Sequence, residues 1–183
     1  MRHLPNIICL VRLALIWPVV SALKSGQQLT ALVVFSVAAA SDGLDGYLAK
    51  RFNWTSELGK FLDPIADKLL LMTVFVQGAW LGLIPWWLTA AVVARDVLIG
   101  LGALAYRLWC GPLHGRPTRI SKVNTAAQLI YLMLVMLRAA AGQPARELLD
   151  VFALLTLFTT VVSGMHYVVS FTRRAWAVRG HAP

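Results

Sequence analysis

A chain of 183 residues that is 58% hydrophobic and only 14% charged, with a mean hydropathy of +0.69, lies well below the roughly 25% charged fraction of soluble domains. This composition excludes an ordinary water-soluble domain and points to a helical integral membrane protein. The net charge of +9 does not indicate a nucleic-acid partner, because the basic residues are spread between apolar segments and form no basic stripe interleaved with stacking aromatics.

Six apolar segments, each near the roughly 20 residues that one bilayer crossing needs, fall at 7–23, 28–50, 58–82, 84–108, 121–142 and 148–172. The expected architecture is all-α: six transmembrane helices in a single domain over residues 1–183, with loops too short for a soluble domain and no 20- to 50-residue repeat. Basic residues set the orientation. Arg2, Lys50, Arg51, Lys60, Arg107, Arg116, Arg119, Lys122, Arg173, Arg174 and Arg179 fall on one side, and Lys24, Arg138 and Arg146 on the other, so both termini are expected in the cytoplasm. Trp54, Trp80, Trp86, Trp87, Trp109 and Trp176 sit near segment ends, as an interfacial aromatic belt requires.

In the first segment Arg12 interrupts the apolar run and no small-x-small cleavage site follows, so it reads as a helix and not as a removable leader. Cys9 and Cys110 are single and distant, and His3, His114, His166 and His181 lack ligand spacing, so neither a disulfide framework nor a thiolate or imidazole metal site is supported.

The second and third segments carry the chemistry. Asp42, Asp45, Asp63 and Asp67 are half of the eight acidic residues, and their flanks, "ALVVFSVAAA" and "LLLMTVFVQGAW", have the composition of membrane spans. An ionised carboxylate at the centre of a span costs about 2.5–3.5 kcal/mol even on the lenient translocon scale, so acids there mark function. Asp42 and Asp45 are spaced i, i+3 and Asp63 and Asp67 i, i+4, so each pair shares one helix face. In an antiparallel hairpin folded at the polar turn Asn53 to Ser56, Asp45 comes level with Asp63 and Asp42 with Asp67, near the cytoplasmic boundary. Four carboxylates in one place repel unless protons or metal ions sit among them. Oxygen-only ligands favour Mg²⁺ or Mn²⁺, and paired ions are a recurring device for displacement at phosphorus. Gly43, Gly46 and Gly59 near the acids permit close approach of a ligand or of a neighbouring helix.

The run Asp42-x2-Asp45-Gly46-x2-Ala49-Lys50-x8-Gly59-x3-Asp63-x3-Asp67 resembles the signature of the CDP-alcohol phosphatidyltransferases, D-x2-D-G-x2-A-R-x8-G-x3-D-x3-D, with seven of eight fixed positions identical. The resemblance implies a six-helix membrane fold, usually a homodimer, that transfers the phosphatidyl group of CDP-diacylglycerol to an alcohol and releases CMP at the cytoplasmic face of a membrane, here expected to be the bacterial inner membrane. It implies that Asp42, Asp45 and Asp63 hold two Mg²⁺ ions (Mn²⁺ as the alternative), with Asp67 as general base and further metal contact. By the same resemblance Gly46, Ala49, Lys50, Ser56 and Gly59 surround the cytidine nucleotide. Lys50 departs from the pattern's arginine, keeping the charge but losing the planar fork that grips phosphate at two points. The segment "LPNIICLVR" is similar to the family's N-terminal Pro-Asn stretch, where Asn6 and Arg12 approach the nucleotide; on their own terms Asn6 equally caps a helix and Arg12 equally snorkels to the interface.

"GKFLDPIADK" looks like the branch of that family whose acceptors are glycerol 3-phosphate or phosphatidylglycerol, and "ARDVLI" (94–99) and "ISKVNTAAQLI" (120–130) look like its members that use phosphatidylglycerol and form cardiolipin. Phosphatidylglycerol is therefore the expected acceptor, with glycerol 3-phosphate as the alternative, and Arg95, Arg116, Arg119 and Lys122 are the candidates to hold it. Arg95 with Asp96 also reads as a buried ion pair, and Lys122 as a positive-inside residue. An ion or proton pathway is the competing class, but it calls for acids spread through the bilayer depth, and here they crowd one end.

Overall fold

The computed structural model describes the backbone of residues 4–52, 57–110 and 118–179, and the side chains of 10–41, 66–105 and 118–170. Among the described residues there are six helices and no strand: α1 (Leu4–Lys24), α2 (Gln28–Phe52), α3 (Glu57–Trp80), α4 (Trp86–Cys110), α5 (Arg119–Ala141) and α6 (Arg146–Arg179). Each expected segment has its helix. The largest difference is at α6, which runs seven residues past the expected end at 172. Hydropathy falls in "RRAWAVR", but no Pro or Gly interrupts it, and helix propensity, not polarity, decides where a helix stops.

Three helices end on a left-handed glycine, α1 on Gly26, α3 on Gly82 and α5 on Gly142. Gly26 (φ 71°) and Gly82 (φ 70°) lie in the left-handed region, with Gln27 N–H donating to Ala22 C=O at 2.9 Å and Leu83 N–H to Gly78 C=O at 2.9 Å. These are the six-to-one bonds of a Schellman cap, and a side chain at either glycine would be strained. α5 opens on Thr118, whose hydroxyl accepts from Ser121 N–H at 3.3 Å.

α1 packs on α2 and α3, α2 on α5, α3 on α4 and α5, α4 on α6, and α5 on α6. The apolar core, with Val19, Leu23, Phe35, Phe75, Leu88 and Leu132 at its centre, draws on all six helices. Phe75 stacks on Tyr131 at 6.2 Å and so ties α3 to α5.

α6 shows the inversion expected of a helix in lipid. It exposes Val151, Leu154, Phe158, Val161 and Met165 and buries Thr156, Thr160 and Ser163. Where the surroundings are as apolar as leucine, helices associate through small residues and hydrogen bonds, and long apolar side chains face outward. Among the described residues, Trp86–Ala105, Arg119–Ala141 and Arg146–Ser170 are long and apolar enough to cross a membrane, and Gln28–Ser41 is a shorter apolar stretch. At the α3–α4 turn Trp80 and Trp86 meet edge to face at 5.6 Å while staying largely exposed, as residues at an interface do.

Candidate active site

α1 brings Arg12 against α3. The residue is 2% exposed, and its guanidinium donates through Nη1 to Asp67 Oδ1. It does not snorkel. Arg12 lies eight residues into a helix packed on both α2 and α3, and its charge is met by a carboxylate inside the bundle. The Asp67 side chain remains 32% exposed. One acid of the motif is thus in direct contact with the N-terminal basic residue that the sequence associates with the nucleotide.

The next residue, Lys68, opens a second ionic network. Its Nζ donates to Asp96 Oδ1 at 2.6 Å, and the same oxygen accepts from Arg95 Nη1 at 2.5 Å. Arg95 Nη2 donates to Ser121 Oγ at 2.9 Å and Ser163 Oγ at 2.5 Å, and its guanidinium carbon stands 5.7 Å from the centre of the Tyr167 ring. Arg95 thus ties α4 to α5 and α6, and Asp96 ties α4 to α3. Ser121 is the third residue of α5, so the network lies at the end of the bundle where α5 begins. Arg95 and Asp96 therefore form the buried ion pair that their sequence position allowed. A buried pair of this kind is worth little relative to a well-packed apolar core, but removing one partner costs about 3–5 kcal/mol.

Farther along α5, Asn124 Oδ1 accepts from Thr159 Oγ1 at 3.0 Å and from Thr160 Oγ1 at 2.9 Å. One turn deeper, Gln128 is fully buried, and neither amide atom has a protein partner.

The other expected site residues are placed only by element. Asp42, Asp45, Gly46, Ala49 and Lys50 lie on α2 and Gly59 and Asp63 on α3, Asn6 lies on α1, and the side chains of all of these are outside the described residues, as are Ser56 and Arg116 altogether. The expected levelling of the four aspartates across the α2–α3 hairpin falls there too. Among the described residues no three His, Cys, Asp or Glu side chains gather into a metal-sized cluster. Arg119 and Lys122 are exposed at the start of α5 and take no part in the Arg95 network.

Sequence reasoning passed over Lys68, Ser121, Ser163 and the Asn124 pair of hydroxyls. A signal was present. Ser121, Asn124 and Gln128 recur at three- and four-residue spacing in an otherwise apolar span, as do Thr156, Thr160 and Ser163, and polar residues on one face of a span turn inward.

A helical bundle with inward-facing polar seams, apolar outer faces and an ionised cluster at one end has the build of a membrane protein. Comparison with known proteins gives the class a family. The family profile described as CDP-alcohol phosphatidyltransferase matches residues 2–170, and the chain belongs to that family of enzymes. It is 33% identical over 181 residues to the cardiolipin synthase (CMP-forming) of Homo sapiens, covering 90% of this chain and 60% of the human protein. The rat protein of the same name is 32% identical with the same coverage. The CDP-diacylglycerol–glycerol-3-phosphate 3-phosphatidyltransferase of Bacillus subtilis is 29% identical over 194 residues, covering 91% of this chain and 94% of that one. The chain spans about 60% of the length of the human and rat relatives.

Proposed function

We propose that this chain transfers the phosphatidyl group of CDP-diacylglycerol to phosphatidylglycerol, forming cardiolipin and CMP. The observation that carries the reading is the eight-position motif with its last carboxylate, Asp67, set against the buried Arg12. The likeness to the human and rat cardiolipin synthases supports this acceptor. The Bacillus subtilis relative supports the second reading, in which glycerol 3-phosphate is the acceptor and phosphatidylglycerophosphate the product.

Asp42, Asp45, Asp63 and Asp67 offer carboxylate oxygens without nitrogen or sulfur, a donor set that fits hard divalent cations. Two Mg²⁺ ions held there, or Mn²⁺ in their place, would supply charge neutralisation for the diphosphate of the donor and for CMP as it leaves. The residues of the chain do the rest. Asp67 accepts the proton of the attacking hydroxyl, whose oxygen forms the new bond to the phosphatidyl phosphorus as the bond to CMP breaks. Arg12 orients that carboxylate. Gly46, Ala49, Lys50, Ser56, Gly59 and Asn6 form the nucleotide's surroundings, and Arg116, Arg119 and Lys122 bring positive charge toward the acceptor. In this reading the six helices are one domain crossing the membrane six times, with both termini and the site on the cytoplasmic side, and the chain works as a homodimer.

The test is one assay on purified protein with CDP-diacylglycerol and each acceptor in turn, the lipid products being identified by mass. Cardiolipin made from phosphatidylglycerol in the presence of Mg²⁺, and lost with excess chelator, is the expected result. Phosphatidylglycerophosphate alone would transfer the assignment to the second acceptor. CMP release undiminished by chelator would remove the metal ions from the account.

A further inference from the structure

Asp96 is shared by two cations. Lys68 and Arg95 both donate to its Oδ1, at 2.6 and 2.5 Å, while Oδ2 is buried without a protein partner. Taken by itself the trio carries one positive charge in excess, and an excess charge inside a bundle is costly unless an anion offsets it; the nearby Asp67 carboxylate acts on Lys68 but is already paired with Arg12. The three members are not equally accessible. The Asp96 and Arg95 side chains are 2% and 4% exposed, whereas that of Lys68 is 33% exposed. Arg95 also spends its second amino group on Ser121 and Ser163. An ammonium has three donors, and Asp96 takes one of those of Lys68, so the reachable excess charge sits on Lys68.

Lys68 also follows Asp67 directly in the chain, on the same turn of α3. We propose that Lys68 binds the phosphate ester of the acceptor and that Asp96 and Arg95 are the positioning residues that hold it there. The inference rests on the transfer reaction proposed above and names a contact within it. Phosphatidylglycerol and glycerol 3-phosphate share one chemical unit, a glycerol with a free hydroxyl at one end and a phosphate ester at the other. Consecutive residues on α3 then serve its two ends, Asp67 the hydroxyl and Lys68 the phosphate. The acceptor role expected of Arg95 becomes indirect, because its guanidinium is occupied within the bundle. A phosphodiester carries one negative charge and balances the trio. A monoester carries about 1.5–2 at neutral pH, and the exposed Arg119 and Lys122 at the start of α5 would offset the remainder.

The experiment uses the purified full chain and its Lys68→Ala, Lys68→Arg and Asp96→Asn variants, with Mg²⁺, saturating CDP-diacylglycerol, and phosphatidylglycerol or glycerol 3-phosphate titrated in separate arms. Lys68→Ala is expected to raise the acceptor KM roughly tenfold to a hundredfold, the worth of one charge-assisted contact, and to leave the KM for CDP-diacylglycerol within about twofold. Lys68→Arg should recover most of the loss. Asp96→Asn should raise the acceptor KM as Lys68→Ala does; its melting temperature is followed as well, because it leaves two cations without their counter-charge. The arm in which KM moves identifies the source of the phosphate. An unchanged acceptor KM in Lys68→Ala, or an equal rise in both KM values, overturns the proposal even where Asp96→Asn fails to fold. Wild-type protein that transfers to neither acceptor overturns the reaction itself, an outcome distinguishable from the failure of Lys68 alone.

Discussion

At the scale of single residues, Asp67 is the motif acid whose side chain is described, and its surroundings suit the role proposed for it. Asp67 is paired with a buried guanidinium and is about one-third exposed, the situation of a group that is held in orientation and still reaches a substrate. Asp63 lies one turn earlier on α3, and the proposed reaction gives it the part of a central metal ligand. Asp63→Asn and Asp67→Asn are both expected to lower transfer by roughly 10²–10⁴-fold, the range for a lost base or its equivalent. Calorimetry should separate them, with Mg²⁺ affinity falling more in Asp63→Asn than in Asp67→Asn. Equal affinities would contradict the division of labour. Arg12 belongs to the same account: its contact with Asp67 could not be read from a sequence in which it looked equally suited to an interfacial, snorkelling position.

At the scale of elements, the α5–α6 seam shows how a membrane bundle uses polarity. Asn124 accepts two threonine hydroxyls, whereas Gln128, one turn away and equally buried, has no protein partner for either amide atom. The two carboxamides are therefore expected to respond in opposite ways to apolar replacement. Asn124→Leu should cost about 1 kcal/mol, in line with measured bonds between membrane helices. Gln128→Met, of similar shape, should be neutral or stabilising, because it removes buried polar atoms that gain nothing from the protein. Melting temperatures in one detergent give the comparison, and a larger loss at Gln128 would contradict the assignment of partners. The α3–α4 corner is tight for a different reason: a Cβ on Gly78 would come within 2.6 Å of Ile84 Cδ1, so any larger residue there has to displace the Ile84 side chain.

At the scale of the whole molecule, the turns after α1, α3 and α5 lie at one end of the bundle, and the start of α5 with the Arg95 network lies at the other. In the orientation proposed from the positive-inside pattern, the second end faces the cytoplasm. Single cysteines at exposed Ser25 and Gln143 should then react with an impermeant maleimide added outside intact cells, and one at exposed Arg119 only after the membrane is opened, in a background carrying Cys9→Ser and Cys110→Ser. Labelling of all three from the same side would refute the six-span topology.

The helical architecture and the acidic motif were legible in the sequence because both rest on local information. A span is a run of about 20 apolar residues, and a carboxylate within one is too costly to be incidental. Spacings of three and four residues place Asp42 with Asp45 and Asp63 with Asp67 on common helix faces without any knowledge of what those faces meet. Partner choice is different, since it depends on which helices pack together and at what depth. That Arg12 reaches Asp67 across 55 residues, or that Arg95 gathers Ser121 and Ser163 from two other helices, follows from packing between elements far apart in the chain. Sequence spacing identified the charges; only the tertiary arrangement decided which of them neutralise one another and left Lys68 as the accessible one.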